Sequence, residues 1–378
     1  MILTEYEMPG MSPSPILPRP TPGWRMPAEW EPHRATWLAW PHRRSDWPGK
    51  FAPIPWVYAE IIRILSRYEE VCLLVRNPQE QQAARRVLHR AGTDLTRVRF
   101  FLCPTDRSWL RDAGPIIIHD QAGQPVVLDW GFTAWAKYPD WSLDDRIPGF
   151  IAEVRGLPRH RPVLRGWRIV LEGGSIDVNG QGMMLTTEEC LLSRVQQRNP
   201  PFDRADYERV FAEYLGVGKT LWLNRGIAGD DTHGHIDDLA RFVQPRTIVL
   251  AVENDPADEN YQPLQENWER LQGVTDLHGR SIEVVPLPMP RPLYHRGIRV
   301  PASYANFYLG NGVLIVPTFN DPADRKALGL LAELCPDRDV IGIHCGDLVW
   351  GLGTLHCMTQ QEPSARVSVA EPLRRNGD

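Results

Sequence analysis

The segment EGGSIDVNGQGMMLTT, residues 172–187, contains in order a polar cluster, a short apolar run, an Asn-Gly turn and a second apolar run. Two apolar runs of strand length on either side of such a turn are typical of a β-hairpin. Glu172 and two glycines stand immediately before the first of these runs. The segment therefore predicts a hairpin whose first strand is preceded by polar residues.

The same order of residues recurs along the chain. Further copies begin near Arg111, His235 and Asn306, and a weaker first copy begins near His33, with ATWLAW as its expected strand. The three clear copies read RDAGPIIIHDQAGQPVVLDW, HIDDLARFVQPRTIVLAV and NFYLGNGVLIVPTF. A unit repeated at regular intervals indicates one fold in which each copy covers the apolar face of its neighbour.

Helical patterns lie between the hairpins. Apolar residues recur at three- and four-residue spacing in PWVYAEIIRILSRYEE, RADYERVFAEYLG and DPADRKALGLLAELC. We therefore predict an α/β protein of about five strand–strand–helix units around an axis, forming one domain over residues 24–366. Residues 1–23 are predicted to be a Pro-rich mobile tail, and residues 367–378 a C-terminal tail.

The composition limits the choice of partner and compartment. The 378 residues include 42 Lys and Arg against 47 Asp and Glu, a net charge of −5. This balance suits a small cationic ligand and gives no reason to expect a nucleic-acid partner. The start of the sequence does not resemble a signal peptide and no apolar run could span a membrane, so we expect a cytoplasmic protein without a membrane partner. The oligomeric state stays open, a homo-oligomer included.

Cysteine usage fits that compartment. The six cysteines form no C-x-x-C pair and stand in no secretory context. We therefore expect most of them to be reduced, buried thiols.

Four carboxylates and two histidines are concentrated in GDDTHGHIDD, residues 229–238. In one interpretation His235 is a general acid/base and Asp237 pairs with a cation. In another, His233, His235 and Asp237 hold a metal ion, as in the H-x-H-x-D-H run of metallo-β-lactamase-like hydrolases, which this segment resembles incompletely. Strand-like alternation would point His233, His235 and Asp237 the same way. A solvated acidic loop is the third interpretation.

Three other segments carry candidate chemistry. In DRSWLRDAGP, Asp112 would face a cationic ligand and Trp109 would form a wall of the cleft, unless the segment is a surface turn whose ions pair with one another. Glu172 precedes paired glycines, which permit close backbone approach as readily as catalysis. Cys357 in GLGTLHCMTQQEP is either a small buried apolar residue or a nucleophile. His356 would point to the opposite face of an extended strand and so would not be the partner base.

Taken together and in order, these motifs resemble the agmatine deiminase family, which is related to the bacterial peptidylarginine deiminases of the guanidine-modifying pentein superfamily. The matching stretches are MPAEWEPH, SWLRDAGP, LEGGSIDV, TTEECLL, GDDTHGHIDD, ASYANFYLGNG, FNDPADR and HCMTQQEP, from about Met26 to Pro363. The resemblance implies a five-bladed, pseudo-symmetric αβ propeller with a central active site. It also implies a cysteine-dependent deiminase, with no metal or organic cofactor, that converts agmatine to N-carbamoylputrescine and ammonia through an S-alkyl thiouronium intermediate.

The resemblance assigns a role to each candidate residue. Cys357 would be the nucleophile, His235 the general acid/base, Asp112 and Asp237 the guanidinium-binding carboxylates, Glu172 the carboxylate that orients the histidine, Asn306 a pocket amide and Trp109 an aromatic wall. Leu352, Thr354 and His233 depart from the pattern of the plant-type members, which puts the far end of the substrate in doubt. Several alternatives remain. The substrate could be free arginine or peptidylarginine, or the enzyme could transfer the amidino group to an amine. The protein could also be a non-catalytic sensor of a guanidine or polyamine, or the metal-dependent hydrolase.

Overall fold

The computed structural model describes residues 23–200 and 202–366. The predicted N-terminal tail, apart from Gly23, and the predicted C-terminal tail lie outside the described residues. Within the described part, no helix combines the length and the apolar character that crossing a bilayer requires.

The strands are short and most of them occur as hairpins. In chain order they are β1 His33–Ala39, β2 Glu70–Val75, β3 Val98–Leu102, β4 Ile116–His119, β5 Pro125–Leu128, β6 Arg159–His160, β7 Val163–Leu164, β8 Trp167–Arg168, β9 Asp177–Val178, β10 Met183–Thr187, β11 Lys219–Leu223, β12 Ala240–Gln244, β13 Thr247–Val252, β14 Glu283–Pro288, β15 Tyr294–His295, β16 Ile298–Arg299, β17 Tyr308–Gly310, β18 Val313–Thr318, β19 Asp339–His344 and β20 Gln360–Pro363. The α-helices are α1 Ile54–Leu65, α2 Pro78–Arg90, α3 Leu110–Ala113, α4 Ile147–Arg155, α5 Glu188–Leu192, α6 Arg204–Leu215, α7 Tyr261–Leu271, α8 Pro322–Leu334 and α9 Leu355–Met358.

Five of the sheets in the described chain share one plan. They are β4-β5-β6, β9-β10-β11, β12-β13-β14, β17-β18-β19 and β20-β1-β2-β3. In each, the first pair is antiparallel and the next pair is parallel. The four predicted hairpins are therefore confirmed as β4–β5, β9–β10, β12–β13 and β17–β18.

The repeated unit contains one strand more than the sequence predicts. A helix follows each hairpin, and a third strand then returns parallel to the second. Among these third strands, β14 lacks a regular apolar pattern: it reads EVVPLP, and most of its residues are partly or fully exposed. The unit is strand–strand–helix–strand.

The fifth sheet joins the two ends of the described chain. β1 is the strand predicted near His33, but its antiparallel partner is β20, with Trp37 opposite Gln360. The predicted first copy is therefore wrong in one respect, since ATWLAW is the second strand of its sheet. Local sequence could not show this, because the first strand lies more than 300 residues away.

Helix ends are specified locally. α6 and α8 both begin with capping boxes, formed by Asp203 with Asp206 and by Asp321 with Asp324. α6 ends at Gly216, whose φ of 68° lies in the left-handed region that favours glycine. These caps fix the helices that connect the second and third strands.

A polar residue precedes the first strand of every one of the five sheets. These residues are Asp112 before β4, Glu172 before β9, Asp237 before β12, Asn306 before β17 and Cys357 before β20. Four of these segments are short helical turns, which are α3, Gly173–Ser175, Ile236–Asp238 and α9. The repeat therefore places one candidate site residue before the first strand of each sheet.

Candidate active site

A cavity of about 600 Å³ leads to the candidate site. Trp109, Asp112 and Cys357 line it, together with Trp135 and Leu352. The first three were predicted from the sequence. Behind the cavity wall, His235 lies beside Asp112, Asp237 and Asn306 lie beside Cys357, and Glu172 lies beside His235.

Cys357 lies in the short helix α9 and its side chain is buried. Asn306 Nδ2 donates a hydrogen bond to Cys357 Sγ over 3.1 Å, and Asp237 Oδ2 lies 3.7 Å from the sulfur. Burial, and then the charges of Asp237, Asp238 and Asp112, raise the pKa of the Cys357 thiol well above its ordinary value. In the free protein this cysteine is therefore a neutral thiol.

The segment around Cys357 is helical, so the extended strand that we expected at His356 is wrong. His356 Nδ1 lies 2.7 Å from Asp237 Oδ2. Strand alternation does not apply in a helical turn. His356 contacts a carboxylate that faces the nucleophile.

His235 is buried among three carboxylates. Its Nδ1 lies 3.7 Å from Asp112 Oδ1 and 3.9 Å from Asp237 Oδ1, and its Nε2 lies 3.6 Å from Glu172 Oε2. Neither ring nitrogen has a hydrogen-bond partner within the described residues. Burial opposes the charged ring, but the charge of Asp112 and the neighbouring Cys190 and Glu172 outweigh it and raise the pKa of His235 well above its ordinary value. The ring is thus an imidazolium that can supply a proton.

Asp112 and Asp237 are held differently. Trp135 Nε1 donates to Asp112 Oδ2 over 2.9 Å, and the backbone N–H of Gly174 donates to Asp112 Oδ1 over 3.0 Å. Burial raises the pKa of Asp112 to about 6. For Asp237 burial also favours the neutral acid, but the hydrogen bond and charge of His356 reverse this and lower its pKa. Asp237 Oδ1 has no hydrogen-bond partner in the described part of the chain, so it is available to a ligand.

Glu172 is the third carboxylate beside the histidine. Arg198 Nε lies 3.1 and 3.2 Å from the two oxygens of Glu172, and both side chains are fully buried. Burial alone would raise the pKa of Glu172, but the charge of Arg198 outweighs it, so the pKa is lowered. An ionised Glu172 can hold the imidazolium of His235 in place.

The paired glycines after Glu172 allow the close approach considered from the sequence. A Cβ on Gly174 would lie 2.5 Å from His235 Nδ1 and 2.7 Å from Asp112 Oδ1. No side chain fits there. The glycine lets the backbone N–H reach Asp112 while His235 stays beside it.

The structure brings together all seven residues predicted for the site. Trp109 packs on Trp47 with ring centroids 5.2 Å apart, which makes it a wall of the cavity. Asn306 also accepts a hydrogen bond from Thr354 Oγ1 over 2.7 Å. Thr354, one of the departures from the plant-type pattern, therefore supports the pocket amide.

Several residues of the site were missed by the sequence reasoning. They are Glu29, Trp135, Arg198, Asp238 and His356. Trp135 has an unusual backbone, with φ of 59°. Glu29, Asp238 and His356 lie in stretches that carry the resemblance, whereas no signal distinguished Trp135 and Arg198 from surface or core positions.

The metal site predicted from His233, His235 and Asp237 is not assembled. His233 has a φ of 68°, and its Nε2 lies 3.1 Å from Ser193 Oγ, away from the other two residues. The segment turns at Gly234 and then enters a helical turn, so strand alternation fails. In the described residues, the groups whose donor atoms do converge are Glu172–Cys190–His235 and Asp237–Asp238–Cys357.

Comparisons with known proteins agree with this geometry. The family model of the Porphyromonas-type peptidyl-arginine deiminases matches residues 25–363. An agmatine deiminase of Pseudomonas aeruginosa is 35% identical over 367 residues, which cover 91% of this chain and 96% of that protein.

Solved structures give the same result. An agmatine deiminase of Enterococcus faecalis superimposes with a TM-score of 0.85 at 31% identity, covering 93% of this chain and 100% of that chain. A putative arginine deiminase from Porphyromonas gingivalis superimposes with a TM-score of 0.80 at 34% identity, covering 90% and 99%. The resemblance seen in the sequence is confirmed, and the chain belongs to the family of agmatine deiminases and Porphyromonas-type peptidyl-arginine deiminases.

Proposed function

We propose that this protein hydrolyses agmatine to N-carbamoylputrescine and ammonia. The observation that carries the proposal is the convergence of Cys357, His235 and two carboxylates, Asp112 and Asp237, at one cavity. The agmatine deiminases among its relatives support the choice of substrate. The partner is thus a small cationic guanidino compound.

Asp112 and Asp237 would bind the guanidinium. A guanidinium is planar and presents pairs of N–H groups that match carboxylates, and charge-assisted hydrogen bonds in a buried site are stronger than neutral ones. Asp237 Oδ1 has no partner in the described residues and faces the same space as His235 Nδ1. The two aspartates would hold the guanidinium carbon next to Cys357 Sγ.

The bound cation would activate the nucleophile. In the free protein the thiol keeps its proton because carboxylates surround it. A guanidinium placed among the same carboxylates supplies the positive charge in place of that proton, which passes to water in the cavity. The thiolate then attacks the guanidinium carbon, forming an S–C bond.

His235 would serve both halves of the reaction. As the imidazolium it donates a proton to the departing nitrogen, so the C–N bond breaks, ammonia leaves and an S-alkyl thiouronium remains on Cys357. The neutral ring then takes a proton from water, which attacks the same carbon. The S–C bond breaks as the hydroxyl proton of the adduct passes to the departing sulfur, which leaves the ureido product, the Cys357 thiol and the imidazolium of His235.

The test measures ammonia and ureido product from agmatine, arginine and a peptide with C-terminal arginine, each with and without EDTA. We expect turnover of agmatine that EDTA leaves unchanged. Cys357→Ala should abolish turnover while the circular dichroism spectrum stays that of the wild type. Activity retained by Cys357→Ala would overturn the proposed nucleophile. Preferred turnover of arginine or of the peptide would instead assign the substrate carboxylate to a cation such as Arg296, which lines the cavity.

We also infer that the five sheets are the blades of a propeller formed by a single catalytic unit over residues 24–366. Their common plan and the polar residue before each first strand support this arrangement. A crystal structure with a guanidino ligand bound at the centre of the five blades would test it.

A further inference from the structure

We propose that His356 and Glu29 form a positioning pair that keeps Asp237 ionised and turned toward the guanidinium. This inference rests on the proposed function, and it assigns a role to two buried residues that the mechanism above does not use. His356 is 2% exposed and Glu29 is 6% exposed, so neither meets solvent.

The hydrogen bonds of His356 define its charge. Its Nδ1 lies 2.7 Å from Asp237 Oδ2, and its Nε2 lies 2.7 Å from Glu29 Oε2. Ionised carboxylates only accept hydrogen bonds, so both ring nitrogens must donate. A histidine that donates from both nitrogens is an imidazolium. While both carboxylates are ionised, the ring therefore places a positive charge against Asp237.

Glu29 is the residue that holds this imidazolium. Its carboxylate also accepts hydrogen bonds from Arg111 over 3.0 Å, from Arg241 over 2.9 Å and from the backbone N–H of Leu309 over 2.9 Å. Four partners around one buried carboxylate leave it little freedom. Burial opposes its charge, but Arg241, His356 and Arg111 lower the pKa of Glu29 well below its ordinary value.

The partners of Glu29 reach other parts of the site. Arg111 is the neighbour of Asp112 in the chain, and Arg241 donates to the carbonyl oxygen of Phe307 over 2.7 Å, next to Asn306. Asp177, bound to Arg241, completes the cluster. Glu29 thus connects segments that carry three predicted site residues, Asp112, Asp237 and Asn306.

The need for the pair follows from the charges that face Asp237. Asp112, Asp238 and Cys357 are the acidic groups beside it, and His356, His235 and Arg241 are the cations. Glu29 is faced in turn by Arg111, Arg241 and His356, with Asp177 and the hydroxyl of Tyr308 as further neighbours. Without the imidazolium of His356, Asp237 would face buried acids with less compensation and would take up a proton. A neutral Asp237 cannot pair with a guanidinium.

Glu29→Gln is the primary test. The side-chain amide of this variant can still donate to His356 Nε2 and accept from Arg241, although it loses the hydrogen bond from Arg111. His356 then becomes a neutral ring that donates only to Asp237. We expect the acid limb of kcat/KM for agmatine to move to higher pH. Below the limb, each pH unit costs about tenfold in kcat/KM, and the KM should rise more than kcat falls. At high pH the variant should approach the wild type.

A second measurement separates charge from structure. Since Asp237 is one of the charges that keep Cys357 protonated, a neutral Asp237 should make alkylation of Cys357 by iodoacetamide faster at neutral pH. A variant that loses activity while its nucleophile becomes more reactive is not explained by a merely loosened site. An equal loss of kcat/KM at every pH, or alkylation that is unchanged or slower, would overturn the proposal.

Glu362→Gln is the matched control. Glu362 is a fully buried carboxylate that pairs with Arg155 over 2.8 Å and contacts no predicted site residue. The Glu362→Gln variant should have a lower thermal stability, but its pH profile and its alkylation rate should equal those of the wild type. The same shifts in this control would show a general effect of losing a buried ion pair and would refute the specific role.

His356→Gln decides the matter if Glu29→Gln does not fold. Its amide can donate to Asp237 without a charge, and Glu29 keeps both arginines, so the same two shifts are expected. Failure of both variants to fold would make the pair structural and overturn the proposal. Alkylation requires no substrate, so a wild type inactive on agmatine would end the proposed function while the charge of Asp237 could still be measured.

Discussion

The protonation state of Cys357 in the free protein is the prediction that most directly tests the site. An ordinary thiol with a pKa of about 8.5 is roughly one-tenth ionised at pH 7.5. Burial and three carboxylates move the pKa of Cys357 well above that value. Each further unit removes about tenfold from the ionised fraction. Alkylation by iodoacetamide should therefore be slow at neutral pH and should rise through pH 9 without a plateau.

Asp237→Asn is the perturbation whose size can be worked out. Asp237 Oδ2 lies 3.7 Å from Cys357 Sγ. At this separation two unit charges repel by about 4 kcal/mol at an effective dielectric constant of about 20. That energy corresponds to as much as about three pKa units. We expect alkylation of Asp237→Asn at pH 7.5 to be at least about tenfold faster than that of the wild type.

The assay is the rate of single-site labelling, followed by intact mass and located by peptide mapping, with Cys357→Ser as the unlabelled reference. Asp231→Asn is the control for loss of a carboxylate, because Asp231 lines the cavity but bonds to Lys137 and to Tyr138. A plateau of the wild-type rate below pH 8 would mean a preformed thiolate. That result, or an Asp237→Asn rate equal to the wild type, would refute the argument that carboxylates hold the proton on Cys357.

Three other outcomes are expected. The pH dependence of kcat/KM reports the ionisable groups of the free enzyme. Because burial raises the pKa of Asp112 to about 6, kcat/KM should fall as the pH drops below about 6. A profile that is flat down to pH 5 would contradict this. Arg198→Met should remove the guanidinium that pairs with buried Glu172 and lower the free energy of unfolding in urea by about 3–5 kcal/mol. A change under about 1 kcal/mol would show the pair to be unimportant. Lys137 binds the cavity carboxylate of Asp231, where we expect it to compete with the ammonium group of agmatine. Lys137→Met should therefore lower the KM for agmatine but leave unchanged the KM for a guanidino compound without an ammonium group. Equal effects on both compounds would exclude this competition.

The hairpins and helices were predictable because their signals are local. An Asn-Gly turn between apolar runs specifies β9–β10, and the capping residue Asp321 with an amphipathic run specifies α8. The pairing of β1 with β20 was not predictable, since nothing in ATWLAW identifies a partner at the other end of the chain. Polar residues before strands could be recognised as a group, because each sheet repeats them.

The supporting residues could not be found in the same way. Arg198 and Glu29 are single charged residues in segments without a repeat, and charged residues are usually exposed. Their role arises from contacts between distant segments, such as Glu29 with His356. The metal site that includes His233 was wrongly predicted for the opposite reason. The regular H-x-H pattern indicated a strand, but the backbone turns there. Sequence pattern thus identified the residues that would meet the substrate better than those that hold them.

Protons and the substrate cation compete for the same charges in this site. Asp112, Asp237 and Asp238 lie close to one another and to Cys357, and burial with mutual repulsion raises the pKa of Asp112 and of Asp238. In the free protein Asp238 and the Cys357 thiol hold protons that reduce the repulsion, while Asp237 stays ionised. A guanidinium entering the site would reduce it instead and displace protons to solvent. Binding should therefore strengthen as the pH rises from acidic to neutral, and the same displacement converts Cys357 into the thiolate only when a cation is present to be attacked.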